Sequence, residues 1–221
     1  MNAVDPRGAT AVLSIPDIRD YERINAEVAQ RLDEGACRIR LAGAEGQRFL
    51  VAGLAGSWNA VIEIEGWAGP ELAADLDAPG LTVVCHGPAG DGAGRSLRAG
   101  RLLIRGPAAD ALAYAQVGGT ILAAEGAGAR AGLNQCGGVL AILGPVGRLA
   151  AERQAGGLIF AYRDRVGPHA GRGARGGRLV LLNPARDSES DELVRPEELE
   201  TMDSVLGEFR PWLELGTASE P

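Results

Sequence analysis

A repeat of roughly 19 to 20 residues, more than any other feature, limits what this chain can fold into. Strand-like apolar runs return at one phase: Val61 to Gly66, Leu81 to Gly87, Arg101 to Gly106, Thr120 to Gly126, Val139 to Gly144, Leu158 to Tyr162 and Arg178 to Leu182. A glycine introduces each run after the first, at Gly80, Gly100, Gly119, Gly138, Gly157 and Gly177. Between runs, small residues at Ala68-Gly69, Ala89-Gly90, Ala108-Ala109, Ala127-Gly128, Val146-Gly147 and Val166-Gly167 mark a second corner in each repeat. A unit this short cannot bury an apolar face by itself; it gains a core only when neighbours stack and share strand hydrogen bonds. Helical solenoid repeats are longer, about 33 residues or more. The period therefore predicts an all-β fold, a parallel β-helix (solenoid), taken as right-handed, with short flanking helices at the N- and C-termini.

Composition agrees with tight coils. Gly reaches 33 residues while aromatics are 4% of a chain that is 46% hydrophobic, so Val, Ile, Leu and Ala must fill the interior around close backbone turns. Three regions follow: residues 1–36 as an N-terminal arm and capping helix, 37–182 as the Gly-rich β-helix, and 183–221 as an acidic linker with a C-terminal helix and tail. After Pro16 and Asp17, the residues Ile18, Tyr21, Ile24, Val28 and Leu32 recur at helical spacing, with Gly35 placed to end the helix. Arg38 to Leu41 and Phe49-Leu50-Val51 read as strands. Past Leu182 the polar run from Asn183 to Asp191 reads as a linker. Pro196 then opens a helix with acids in its first turn, and Phe209, Trp212 and Leu213 form a small apolar cluster suited to covering the far end of the coil or meeting a partner.

The charge balance excludes several functions. A net charge of −7 argues against nucleic acid as the main ligand. Every basic residue is Arg, so Schiff-base lysines and Lys-containing phosphate loops are out. Cys37, Cys85 and Cys136 are far apart with no C-x-x-C spacing, and signal neither a disulfide framework nor a zinc or iron–sulfur site. No run reaches the ~18 apolar residues of a membrane span, and no signal sequence stands at Met1. The expectation is a cytoplasmic protein with no membrane contact.

Candidate chemistry is sparse. His86 and His169 lack an acid, Cys or second His at ligand spacing, and Cys136 reads as a small packed thiol. Gly90, Asp91, Gly92, Ala93 and Gly94, followed by Arg95 and Arg98, superficially match a phosphate-cradling loop, but their phase is that of a coil corner. No catalytic, cofactor-binding or metal residue is assigned. The concentration of Arg163, Arg165, Arg172, Arg175 and Arg178 in the last coils of an acidic chain, with Trp212, is the candidate partner-binding patch. Arg101 and Arg105 share one strand face.

The pattern running from Gly118-Gly119 to Gly126, from Gly137-Gly138 to Gly144 and onward from Gly156-Gly157 resembles the GXGXG family. That family comprises the C-terminal β-helix domain of the large glutamate synthase subunit, stand-alone glutamate synthase-like chains such as the third subunit of N-methylglutamate synthase, and the C subunit of formylmethanofuran dehydrogenase. Pro88, Pro107, Pro145 and the stretch from Tyr162 to Arg165 depart from its usual repeat. The resemblance implies a non-catalytic structural subunit that docks glutaminase and flavin subunits. It binds no cofactor itself, and FMN and an iron–sulfur cluster are expected in the partners. A subunit of a formylmethanofuran dehydrogenase or formyltransferase/hydrolase assembly, or a self-associating homo-oligomeric scaffold, are the alternatives.

Overall fold

The computed structural model describes residues 10–16, 18, 20–183 and 194–214. Nine strands form one wholly parallel sheet in sequence order: β1 (Thr10–Ser14), β2 (Arg38–Glu45), β3 (Ala60–Trp67), β4 (Asp77–Cys85), β5 (Ala99–Ile104), β6 (Thr120–Ala123), β7 (Cys136–Ile142), β8 (Ala155–Tyr162) and β9 (Gly176–Leu182). Because each strand pairs only with its neighbours in sequence, the chain winds as a β-solenoid of about seven turns. The seven expected strands are all present. The expected strand from Arg38 to Leu41 is β2, and one further strand, β1, lies within the expected N-terminal arm and pairs with β2 from Thr10↔Arg38 to Ser14↔Ala42.

Register makes the core. Ile39, Ile62, Val83, Leu102, Ile121, Leu140, Ile159 and Leu179 are successive partners in the ladder, and all but the last are fully buried. A period of two sends these side chains inward and their neighbours outward. The second corner closes through single parallel bridges, Ala68↔Ala89, Ala89↔Ala108, Ala108↔Ala127, Ala127↔Val146 and Val146↔Val166, so the small residues between the runs do stack.

A third wall of each coil is built from residues whose φ alternates in sign, with positive values at Glu71, Ala73 and Asp75, at Ala111, Ala113 and Ala115, and at Leu149, Ala151 and Arg153. Left-handed backbone costs an L-residue about 1–2 kcal/mol. Hydrogen bonds between coils offset it: Glu71 N donates to Asp91 O, Ala73 N to Leu50 O and Asp75 N to Arg95 O, alternately to the next coil and the previous one. Phe49, Leu50 and Val51 belong to this wall in the first coil, with φ of 59° at Phe49 and 60° at Val51, and are not the strand their apolar character suggested. Apolarity there reports burial, since Leu50 and Val51 are fully buried.

Helix α1 (Tyr21–Asp33) closes the first coil. Its N-cap is Asp20, which accepts from Glu22 N at 3.0 Å; Asp17 lies outside the described residues. Ile24, Val28 and Leu32, one turn apart, are buried against the interior. Asn25 continues the wall in place of a missing coil: its Nδ2 donates to Phe49 O at 2.8 Å and its Oδ1 accepts from Val51 N at 2.8 Å.

Helix α2 (Pro196–Leu213) is longer than expected and runs through Phe209, Trp212 and Leu213. It covers no end of the coil. Met202, Val205 and Phe209 pack on the outward face of the sheet, against Val84, Leu103, Leu122, Ala141, Phe160 and Val180. Eighteen residues at ~1.5 Å rise give a rod of about 27 Å, enough to cross some five strand spacings of ~4.8 Å. Pro184 to Asp191 of the expected linker lie outside the described residues.

Candidate functional site

Inside the coil the structure shows a feature that reading residue by residue missed. Gln116, Gln135 and Gln154 are buried and stacked, Gln135 Nε2 donating to Gln116 Oε1 and Gln154 Nε2 to Gln135 Oε1, each at 3.0 Å. The amides also donate to strand-opening carbonyls, Gln116 to Gly118 O at 3.0 Å and Gln154 to Gly156 O and Gly157 O at 3.2 Å. The glycines make room for them. Gly138 has φ of 73°, and a Cβ there would lie 2.6 Å from Gln116 Nε2. The recurrence of Gln two residues before a Gly-Gly pair was the available signal. The ladder's hydrogen-bonding capacity is spent on the coil itself, a structural role.

The strand-opening glycines are of two kinds. Gly100, Gly119, Gly138, Gly157 and Gly177 have φ between 65° and 100°; register shifts fall at Gly138 in β7 and Gly157 in β8, and in β4 opposite Gly100. Gly80 has ordinary backbone and is required for close approach, its Cβ position being 2.4 Å from Trp58 O.

On the outward face, α2 is pinned at two points. Glu198, almost wholly buried, meets Arg178 Nε at 2.5 Å and Nη2 at 3.0 Å, and accepts from Arg195 N at 2.9 Å. A buried carboxylate is tolerable only with such partners. Glu208 meets Arg101 Nε at 2.9 Å. Arg178 and Arg101, exposed cations by sequence, thus hold a helix to the sheet, and Trp212 packs in the same cluster.

Near the end of α2 the coil brings an acid to His86 that its sequence neighbours lacked. Glu63 Oε1 lies 3.7 Å from His86 Nε2, Arg105 Nη1 lies 3.2 Å from His86 Nδ1, and Arg38 Nε lies 3.4 Å from Glu63 Oε2. The polar contact with His86 holds the Glu63 carboxyl below its usual range, against partial burial and with help from the Arg38 charge.

The remaining arginines gather at the C-terminal end of the solenoid. Arg163 and Arg165 belong to a short 3-10 helix (Arg163–Arg165) that forms the last second corner, and Arg172 and Arg175 to the last third wall; all four are exposed. Arg165 lies over the Tyr162 ring at 5.2 Å and donates to Leu143 O at 3.0 Å. Arg163, Arg172 and Arg175 pair with no carboxylate among the described residues. The sequence patch therefore divides: Arg178 and Trp212 secure α2, and four arginines ring an open end.

Other candidates resolve into structure. Amides of Gly90, Gly92 and Gly94 donate to Ala68 O, Asp110 O and Leu72 O of adjacent coils, and Arg95 pairs with Glu71 and Asp75. Burial pushes the Cys85 thiol up; Cys136, expected as a packed thiol, is instead exposed at the start of β7. His169 is an exposed third-wall residue with φ of 65°. Trp58 Nε1 donates to Asp33 Oδ1 at 2.8 Å, and Trp67, 48% exposed, lies over Gly46. A cleft of about 230 Å³ opens beside α2, between Tyr162, Asn183, Leu199 and Asp203. Among the described residues no group of three or more His, Cys, Asp or Glu is placed to hold a metal, and no helix is long and apolar enough to cross a membrane.

A family model described as the GXGXG motif matches residues 17–206, from before α1 into α2. No curated protein and no solved structure matches the chain.

Proposed function

This chain belongs to the GXGXG motif family, and from that premise we propose that it is a non-catalytic structural subunit of a glutamate synthase-like complex of the N-methylglutamate synthase type. Family membership fits glutamate synthase-like proteins in general. In this reading a rigid solenoid positions separate glutaminase and flavin subunits, and the flavin and iron–sulfur chemistry resides in them. The observation that carries it is the division of polar side chains. Glutamines and most buried or half-buried charges serve the coil or pin α2, while a group of exposed arginines at one end engages no carboxylate among the described residues. A charged patch left uncompensated on an acidic chain suits docking better than turnover.

Affinity purification of the native chain from its source cell, with identification of the co-purifying chains, tests this reading. Recovery of a flavin-binding synthase and a glutaminase is expected. Recovery of an amidohydrolase with a formyltransferase would move the chain to a formylmethanofuran dehydrogenase-like assembly. Recovery of the chain alone as a homo-oligomer would replace the subunit with a self-associating scaffold.

A further inference from the structure

The two ends of the solenoid differ. At the first coil α1 covers the interior, and Asn25 satisfies the third wall. At the last coil no described element does the same. The sheet order ends at β9, which among the described residues pairs only with β8. In a parallel ladder, N–H and C=O of alternate residues face alternate neighbours. Since Val139 N donates back to Gly119 O and Arg178 occupies the same ladder position, the backbone groups of Leu179 and Leu181 face the open edge. Their side chains point inward yet are only half-buried, whereas their ladder partners Ile159 and Ala161 are 0% and 2% exposed. Beside this edge runs a groove of about 390 Å³ lined by Arg163, Arg178, Leu179, Leu181 and Val194.

An edge whose backbone is unpaired and whose leucines are only half-buried among the described residues is a template for one more strand. Charge selects the strand. Arg163, Arg165, Arg172 and Arg175 surround the edge, and Asp164 is the single acid between Arg163 and Leu182. A second copy joined edge to edge across a two-fold axis would set these arginines against themselves. We propose that the open C-terminal end of the solenoid receives an extended acidic segment of a partner protein, which adds to β9 as the tenth strand of the sheet. This assignment rests on the docking-subunit reading and adds to it the surface and the chemistry of the partner.

The test uses the full chain and a fluorescein-labelled peptide of alternating Glu and Val, followed by fluorescence anisotropy at low and high salt. Two control peptides accompany it, one with Lys for Glu and one N-methylated on alternate residues so that one edge cannot donate. The Glu/Val peptide is expected to bind, more weakly at high salt. The triple variant R163E/R172E/R175E, whose changed side chains are exposed, is expected to weaken binding by about tenfold or more, and N-methylation to abolish it. Equal binding of the Lys or N-methylated peptide overturns the proposal. Binding that emerges only after Asp187, Glu189, Asp191 and Glu192 are made neutral overturns it too, assigning the edge to this chain's own acidic segment. Growth of large particles with concentration, lost in the triple variant, would assign the edge to a second copy and equally overturn it. The docking reading is separable: if source-cell subunits still co-purify with the triple variant, the subunit role stands and this surface fails. If none co-purify with the unmodified chain while the peptide binds as expected, the surface stands and the subunit role fails.

Discussion

Gln135 sits in the middle of a buried stack, and replacing it with Leu keeps the volume while removing the amide. Two amide–amide bonds of 3.0 Å are lost together, one to Gln116 Oε1 and one from Gln154 Nε2. The loss strands the Gln116 carbonyl oxygen in a fully buried site and takes one acceptor from Gln154, which retains Gly156 O and Gly157 O. An unsatisfied buried polar group costs about 1–3 kcal/mol, so Gln135→Leu should destabilise the solenoid by roughly 2–4 kcal/mol. The triple variant Q116L/Q135L/Q154L behaves differently. Leu76 and Leu97 occupy the equivalent position two coils and one coil before Gln116, as the bonds Arg98 N to Leu76 O, Val117 N to Leu97 O and Cys136 N to Gln116 O show, and both are fully buried. A leucine stack therefore fits this wall. With no amide left to orphan, the triple variant should lose far less than about three times the single loss, keeping only the penalty of strand-opening carbonyls deprived of a donor. Urea unfolding followed by circular dichroism and by tryptophan fluorescence measures this, provided the slopes of the variants agree. A triple variant that loses the sum of the single losses or more would refute the ladder as a coupled unit.

Gly157→Ala should cost about 3 kcal/mol or more, because φ is 75° and the added Cβ would lie 2.7 Å from the Gly137 carbonyl carbon; an unfolding midpoint within error of the parent would contradict this. Phe209→Ala, at a fully buried position under α2, should cost about 3–5 kcal/mol locally, so that hydrogen exchange speeds up in α2 while β3 to β8 stay protected. For Glu63 the sign is that of a lowered carboxyl: its stabilisation is full above the ordinary glutamate value of about 4.3 and is lost as pH falls through the lower folded value. Glu63→Gln should flatten the acid side of the stability profile, whereas Glu200→Gln, at an exposed residue of α2, serves as the control.

The strands were legible because Ile62 and Ile64, Leu102 and Ile104, or Leu140 and Ile142 face inward at a period of two between turn residues, a pattern local to each run. The second corners were legible because only small residues stack there. The third wall was not: no residue preference specifies alternating handedness at Ala111, Ala113 and Ala115, and the conformation is imposed by hydrogen bonds to coils on either side. The same reason hid Phe49 and Val51. Glu63 lies on β3 and His86 just past the end of the adjacent strand β4, so their contact exists only after the coil closes. The arginine patch was visible as composition, but its division between pins of α2 and a ring at the open end depends on where α2 lies. That placement follows from the outward stack Val84, Leu103, Leu122, Ala141, Phe160 and Val180, whose continuous apolarity asks for a cover.

The central claim, that this chain works as a docking subunit, is tested most directly by the mass of the native particle that carries it in source-cell extract, measured by native mass spectrometry after gentle affinity capture. A heteromeric particle well above the 22.8 kDa of one chain is expected, with a mass explained only by added subunits. A particle of 22.8 kDa, or of an integral multiple of it, would contradict the claim.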